Sequence, residues 1–305
     1  MQHVFKLAAV AALCASAAAA HADVAFDANL ELDSTYSNEA NASASNAARD
    51  SDLSMGGRVE VNAGAKLNNG DAFVAARASL LLKKDGSAGT DDMWVQFGNK
   101  SGDVKLGRFE AMDLFPLGKD TVVDEVNGTY KANALRGRMD GDTFHGALGL
   151  NAGAGLRVEL GLVYSNDAGK SRGFRPAVSY NAGPLTVRAG LESVKKVGST
   201  TGADTGFGLS VGYALAADSN LNVNFAKKED DKAFGVNATF GALGVGLISG
   251  KGATDATKAT TVYAAYSMPL FGVKGASVTP ALSVSKGGAG QDTRTAARVR
   301  INYAF

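Results

Sequence analysis

The sequence is 305 residues long and carries 31 Lys and Arg residues against 30 Asp and Glu residues. This balance leaves no global field that would attract nucleic acid. No stretch approaches the roughly 20 consecutive apolar residues that a membrane-spanning helix needs, which excludes a helical membrane protein. The 38 glycines, the 5 prolines and a mean hydropathy near zero suit strands that are apolar on one side and polar on the other.

The N-terminal 22 residues have the features of a secretory signal peptide. A single cation, Lys6, precedes an apolar run over 7–20, and small residues at Ala20 and Ala22 form a cleavage pattern. We therefore expect residues 1–22 to be removed and 23–305 to form the mature domain. Cys14, the only cysteine of the sequence, lies in this segment, so the mature chain is expected to contain no disulfide.

Alternation of apolar and polar residues begins directly after this segment. Phe26, Ala28, Leu30 and Leu32 share one face of a predicted strand, and Asp27, Asn29, Glu31 and Asp33 share the other. The same pattern recurs at 58–67, 156–164, 185–191, 221–225 and 297–305. It predicts either strands with one face toward lipid and one toward a wet lumen, or the half-buried strands of a secreted β-sandwich or β-helix.

The connections between these segments alternate between short turns and longer polar loops. Seven turns and eight loops connect sixteen antiparallel strands, and an even number places both termini on the periplasmic side of a closed barrel. The stretch Lys131 to Met139 could be a seventeenth strand, but that reading breaks the alternation. We therefore assign 109–141 to one long insertion, between strands near 104–108 and 142–150. An insertion of this length is usually functional.

The residues at the start of this insertion resemble a known family. The sequence Leu-Gly-Arg at 106–108, followed by Phe-Glu-Ala-Met-Asp-Leu-Phe-Pro at 109–116, resembles the fifth strand and third loop of bacterial outer-membrane porins. The continuation resembles the raffinose-type glycoporins, which are carbohydrate porins, more than it resembles the general porins. The resemblance implies an all-β, 16-stranded transmembrane barrel in the outer membrane of a Gram-negative bacterium, with the third loop folded inward as a constriction.

The resemblance also implies what the barrel does and what it contacts. It predicts passive diffusion of small hydrophilic solutes, carbohydrates among them, through a homotrimer surrounded by outer-membrane lipids. The C-terminal strand ending in Phe305 is expected to engage the barrel-assembly machinery. No cofactor, metal or nucleic acid is expected.

Charged residues at polar-face positions are candidates for the pore constriction. Acids in the insertion facing strand arginines would create a transverse field that favours polar over apolar solutes. Both sets could instead be ordinary solvated charges, and Arg108 could be a structural anchor. The candidates are the acids Glu110, Asp113, Asp120, Asp124 and Glu125, and the arginines Arg58, Arg77, Arg108, Arg136, Arg138, Arg298 and Arg300.

Aromatic residues of the insertion leave two readings open. Phe109, Phe115 and Tyr130 could stack against sugar rings, or they could pack the insertion's own small core. Trp94, the only tryptophan, could belong to an aromatic girdle or face the lumen.

Other functional classes find little support in the sequence. The mature segment contains one histidine, His145, and no serine has a nucleophile motif around it, so we predict that the protein is not an enzyme. A structural or adhesin-type barrel is the main alternative. Such a barrel would be expected to have longer external loops than those found here.

Overall fold

A computed structural model describes residues 24–40, 49–118, 136–139, 143–252, 258–287 and 293–305. These residues form sixteen strands, of which the fourteenth is interrupted at Ser267. The strands are β1 Val24–Ala40, β2 Arg49–Asn69, β3 Ala72–Lys83, β4 Ala88–Asn99, β5 Gly102–Arg108, β6 Phe144–Asn151, β7 Leu156–Tyr164, β8 Ser171–Ala182, β9 Leu185–Lys196, β10 Asp204–Ala216, β11 Ser219–Lys228, β12 Asp231–Phe240, β13 Leu243–Lys251, β14 Ala259–Tyr266 with Met268–Pro269, β15 Ala276–Gly287 and β16 Thr293–Ala304.

Every strand pairs antiparallel with its neighbours in the sequence, and the sheet closes on itself. Leu30 of β1 lies opposite Val59 of β2 on one side and Tyr303 of β16 on the other. Closure leaves no edge strand among the described residues. The predicted fold, a 16-stranded antiparallel barrel, is confirmed. Within the described part of the chain, no helix is long and apolar enough to span a membrane.

Side chains alternate between the two faces of the barrel wall. Leu32, Val262 and Phe234 point outward and are exposed, whereas Asn224 and Thr261 point inward and are buried. A barrel in lipid needs this arrangement, because its outer face contacts hydrocarbon and its inner face contacts water. The alternation predicted from the sequence is confirmed.

The strands reach further into the connections than the apolar pattern indicates. The alternating pattern found in the sequence covers 26–33 and 58–67, but β1 continues to Ala40 and β2 starts at Arg49, with these two residues in register. Backbone pairing needs no apolar side chains, so it continues into the polar ends of the strands. The described residues 136–139 are not in a strand, and 119–135 and 140–142 lie outside the described residues.

Candidate channel and its lining

The insertion leaves β5 through the Leu-Gly-Arg segment. Gly107 has a φ of 119°, which L side chains rarely adopt, and a Cβ atom there would overlap the carbonyl oxygen of Met93 in β4. Glycine is therefore required where the two strands approach and the chain turns away.

Arg108 fastens both ends of the insertion to the wall. Its Nε donates to the carbonyl oxygens of Thr90 and Asp91 at 3.0 and 2.8 Å. Its Nη1 donates to the carbonyl oxygens of Arg138 and Met139 at 3.1 and 2.9 Å. The planar guanidinium has several N–H donors, so it can bond the β4 carbonyl groups and the insertion carbonyl groups at the same time. Arg108 is therefore an anchor in this structure, the alternative that the sequence left open.

The first part of the insertion packs on inward-facing residues of β11 to β14. Phe115 is 1% exposed and contacts a cluster that contains Ala226, Ala233, Ile248 and Tyr263. Small residues make room for it, since a Cβ atom on Gly235 would come within 3.0 Å of the Phe115 ring. Where the insertion lies against the inner wall, the wall residues are therefore apolar and mostly small.

Hydrogen bonds fix the backbone of the same segment. The carbonyl oxygen of Pro116 accepts from the side-chain amides of Asn224 and Asn237 at 2.7 and 2.8 Å. The hydroxyl of Tyr263 donates to the carbonyl oxygen of Leu117 at 2.7 Å. Buried carbonyl groups are costly without such partners, so these three bonds hold 116–117 at one position on the wall.

A buried ionic group holds the insertion at Met112. Arg175 of β8, 1% exposed, donates through Nη2 to the carbonyl oxygen of Met112 at 2.6 Å. Glu159 accepts from the Met112 amide at 2.9 Å, and the Arg175 Nε lies 3.7 Å from a Glu192 carboxylate oxygen. A buried charge needs such compensation. None of these three charged residues was predicted, although each occupies an inward position of β7, β8 or β9.

Two of the three candidate stacking residues are inaccessible. Phe109 is 1% exposed and stacks on His145 with ring centroids 4.0 Å apart, while the Lys105 ammonium lies 4.7 Å from its centroid. Phe115 is buried in the cluster described above, so both rings pack the insertion and offer no face to a sugar. Tyr130 lies outside the described residues.

Trp94 points into the barrel, so it does not belong to an aromatic girdle. It shares the inward face of β4 with Gln96, whereas Met93 and Val95 are exposed on the lipid side. The Lys105 ammonium lies 4.1 Å from the Trp94 ring centroid. The single tryptophan therefore forms a cation–π contact in the lumen.

The wall formed by β16, β1, β2 and β3 carries alternating acids and arginines. All four predicted strand arginines point inward, and each lies within 4 Å of a carboxylate on the same or a neighbouring strand. The shortest contact joins Arg300 Nε to Asp33 at 2.7 Å, and Arg58 Nε lies 3.0 Å from Glu31. The remaining pairs are Arg58 with Glu60, Arg77 with Glu60 and Asp92, Arg298 with Asp33, and Arg300 with Glu31.

The arginines near the end of the insertion extend this network. Arg138 lies 2.7 Å from Asp92 of β4 and 2.8 Å from Glu110, and Arg136 lies 2.6 Å from Glu110. Glu110 is thus paired within the insertion, and the wall arginines are paired within the wall. Among the described residues, the positive charge of the wall arginines is therefore balanced largely by carboxylates of the wall itself, and the transverse field between wall and insertion stays a prediction.

One cavity is lined by both the insertion and the charged wall. A cavity of about 600 Å³ separates residues 116–118 of the insertion from β14, β15 and β16. Asp113 lines it from the insertion, and Arg300 and Asn302 line it from β16, with Ser277 and Thr279 between them. One predicted acid and one predicted arginine therefore line the same polar cavity. Asp120, Asp124 and Glu125 lie outside the described part of the chain.

A closed barrel with an apolar outer face and a polar inner passage defines the class of outer-membrane channels. Comparison with family profiles matches residues 9–305 to the Gram-negative porin family, and the chain belongs to that family. The protein is thus a porin of the Gram-negative outer membrane.

Solved structures show the same fold at low sequence identity. The trimer form of OmpT, an outer membrane protein of Vibrio cholerae, is 15% identical with a TM-score of 0.68, over 93% of this chain and 99% of that chain. An anion-selective porin from Comamonas acidovorans is 15% identical with a TM-score of 0.65, over 93% and 100%. A mutant of the Rh. blastica porin is 12% identical with a TM-score of 0.65, over 92% and 100%. A comparison with curated protein sequences found no match.

Proposed function

We propose that this porin passes small hydrophilic solutes by passive diffusion through a passage constricted by the insertion 109–141. The observation that carries the proposal is the cavity lined by Asp113 on the insertion and Arg300 on β16. Fixed charges and hydroxyl groups on both sides keep water ordered there, so an apolar solute must displace water at a cost. Polar solutes replace those hydrogen bonds and pass more easily.

The inward position of the insertion is supported by its contacts. Residues 112–117 bond to the inward-facing Arg175, Asn224, Asn237 and Tyr263, which belong to four different strands. A sixteen-stranded barrel leaves an aqueous lumen unless something narrows it. We extend the same role to 119–135, including Asp120, Asp124 and Glu125.

Carbohydrates are the solute class we put forward within this function. The support is the glycoporin-like sequence over 109–116 and the density of paired arginines and carboxylates on the wall, which can exchange hydrogen bonds with sugar hydroxyls. Of the three candidate stacking residues, Tyr130 is the one we propose for contact with a sugar ring, because Phe109 and Phe115 are buried. The alternative, a structural or adhesin-type barrel, has no use for a polar passage.

We propose no enzymatic activity for this chain. His145, the candidate base, is 2% exposed and stacked on Phe109, so a substrate cannot reach it in this arrangement. Proton transfer requires a base within hydrogen-bond reach of its substrate.

We propose that the mature porin, after removal of residues 1–22, assembles as a homotrimer in outer-membrane lipid. The Vibrio cholerae OmpT trimer, which shares the fold, supports this assembly. The C-terminal strand ending in Phe305 is our candidate signal for the barrel-assembly machinery.

Planar-bilayer conductance of the purified protein tests the channel and its solutes together. We expect stepwise ion conductance that falls reversibly when a sugar such as raffinose is added, as a sugar in the passage displaces ions. If no sugar changes the conductance, the proposed carbohydrate selectivity is wrong and the protein is a general diffusion channel. A folded barrel with no conductance would favour the structural alternative.

A further inference from the structure

A second lumenal cavity lies on the inner wall formed by β2, β3 and β4. Its volume is about 410 Å³, and small-molecule sites typically measure roughly 300 to 1,000 Å³. Gly64 of β2 and Ala75 of β3 create the space, because both face inward and neither has a large side chain. A Cβ atom on Gly64 would have only the Ala76 carbonyl oxygen near it, at 3.7 Å, so the space above Gly64 is open.

Two aromatic rings border this cavity, which we call the Trp94 hollow. Trp94 of β4 lies opposite Arg77 of β3 in the strand register, and Phe73 lies two inward positions before Arg77 on the same strand. Both rings are partly buried. Such rings bind another ring in offset-stacked or edge-to-face contact. The Trp94 hollow therefore has the apolar surfaces that a planar ring needs.

Two cations line the same hollow. Arg77 holds its own carboxylates loosely, since its Nε lies 3.7 Å from Asp92 and its Nη2 lies 3.7 Å from Glu60. Both distances exceed that of a direct hydrogen bond. The Lys66 ammonium lies 4.7 Å from the Phe73 ring centroid, and none of the described carboxylates pairs with it. Both cations therefore keep N–H donors for an anion.

The remaining lining favours an aromatic anion over a neutral sugar. Gln96 is the only amide side chain among the described lining residues, and its Nε2 already donates to Asp103 at 2.8 Å. No acid is among those lining residues, and the Lys105 ammonium adds positive charge 4.1 Å from the Trp94 ring centroid. A sugar ring needs several hydrogen-bond partners, whereas an aromatic carboxylate needs an apolar surface and a cation.

We propose that the Trp94 hollow binds small aromatic carboxylates inside the barrel. The solute ring lies over Gly64 and Ala75 against Trp94, and the solute carboxylate accepts hydrogen bonds from Lys66 and Arg77. This ligand class goes beyond the carbohydrates proposed above and does not depend on them.

The position of the hollow gives the site a place on the solute path. Trp94 and Gln96 pair with Gly107 and Lys105 of β5, on the short-turn side of Arg108, where the insertion leaves the wall. Short turns face the periplasm in outer-membrane barrels. A solute that enters from outside therefore reaches the hollow after it has passed the level of Arg108.

Trp94 fluorescence reports binding at this site, because Trp94 is the only tryptophan of the sequence. Benzoate, titrated at constant ionic strength into the folded mature protein in neutral detergent, should change the Trp94 emission saturably. G64V places a side chain in the hollow and keeps Trp94 and both cations, so it should weaken benzoate binding about tenfold. The control A63V adds the same side chain at the neighbouring lipid-facing position and should bind like the unaltered protein.

The contribution of the cations is measured with K66Q and R77Q. Each should weaken benzoate binding about fivefold, the upper value for a partly exposed ion pair. R188Q removes an inward arginine of β9, six strands from β3, and should bind like the unaltered protein. Cyclohexanecarboxylate has the charge without the planar ring, and benzamide has the ring without the charge, so both should bind more weakly than benzoate. Heat-modifiable gel mobility establishes that each variant is folded.

An emission change that rises linearly with benzoate and is the same in G64V would show collisional quenching and would overturn the proposal. Equal affinity for benzoate and either analogue would also overturn it, because the ring or the charge would then not be recognised. Tighter binding of galacturonate than of benzoate would assign the hollow to sugar acids instead. Equal weakening by R188Q would show a general charge effect and contradict a local site. Conductance without benzoate measures the channel itself, so the proposed transport function stands or falls separately.

Discussion

Single residues explain why the Leu-Gly-Arg segment opens the insertion. Gly107 supplies a conformation and a close approach that no side chain permits, and Arg108 then bonds four carbonyl groups on both sides of the insertion. From the sequence this segment could be recognised, but the role of Arg108 stayed open. An arginine at the mouth of a channel can contact solute or bond to backbone. The sequence does not show that the Arg138 and Met139 carbonyl groups lie beside Arg108, and these contacts identify it as an anchor.

Replacing Arg108 with lysine should loosen the insertion. An ammonium cannot bond the Thr90, Asp91, Arg138 and Met139 carbonyl groups together, so part of this set loses its partner. We expect the folded barrel to lose about 1.5–3 kcal/mol, the usual contribution of a charged hydrogen bond. Single-channel recordings should show a higher and noisier conductance. R172K, an outward arginine, serves as the control; equal recordings from both variants would contradict the clamp.

Asp113 and Arg300 should shift ion preference in opposite directions. D113N removes a negative charge from the passage and should favour anions. R300Q leaves the Asp33 and Glu31 carboxylates with one fewer cation and should favour cations. Reversal potentials should be measured well below 0.1 M salt, where the Debye length exceeds about 10 Å. D85N, in the β3–β4 connection, is the control and should leave the reversal potential unchanged. If the reversal potentials of D113N and R300Q shift in the same direction, these two residues do not line the ion path.

At the scale of strands and loops, alternation could be predicted wherever the inner face meets water. It fails under the insertion, where Ala226, Ala233 and Ile248 point inward and are buried against Phe115. These positions are lumenal yet apolar, because the insertion covers them. The contact surface could not be predicted since it depends on which inward residues the insertion reaches, and sequence spacing does not supply that.

An engineered disulfide should report the position of the insertion. A Cβ atom on Gly118 would lie 3.7 Å from the Cβ of Asn237 in β12, which fits the Cβ separation of about 3.8 Å in disulfides. We expect G118C/N237C to oxidise readily, despite the φ of 78° at Gly118, and to retain near-normal conductance. Mass spectrometry after thiol alkylation measures the bridge, with no native cysteine in 23–305 to compete.

The matched control places the second cysteine on the opposite wall. Ser79 of β3 is inward and buried, and G118C/S79C should keep two free thiols. If G118C/N237C also keeps its thiols free in a folded barrel, the insertion does not rest on β12. If the bridged protein conducts much less than the reduced protein, the insertion normally occupies a different position in the open channel.

At the scale of the whole molecule, the barrel divides into two walls with different tasks. The inner face of β11 to β14 is apolar or amide-rich and carries the insertion, while β16, β1, β2 and β3 carry paired charges facing the passage. The sequence predicted the strand number, the closure of β16 against β1 and the inward direction of the strand arginines. It did not predict their pairing, because Glu31, Asp33 and Glu60 become neighbours of those arginines only through the cross-strand register.

Phe305 adds two backbone bonds beyond the register that pairs β1 with β16. The Phe305 amide donates to the carbonyl oxygen of Ala28 at 3.0 Å, and the Ala28 amide donates to the Phe305 carbonyl oxygen at 2.8 Å. The Phe305 ring stacks on Tyr303, with centroids 5.2 Å apart, on the lipid side. Deleting Phe305 removes the ring and both bonds, whereas F305A keeps the backbone bonds and loses the ring, so the two variants separate these contributions.

We expect the folded, heat-modifiable amount in the outer membrane to fall in the order unaltered protein, F305A, deletion. F305Y keeps an aromatic ring at the interface and should assemble like the unaltered protein. If purified F305A refolds normally in detergent but fails to accumulate in cells, the ring acts in assembly by cellular machinery and not in stability. Normal accumulation of the deletion variant would contradict both roles, because the remaining β1–β16 pairs would then suffice to close the barrel.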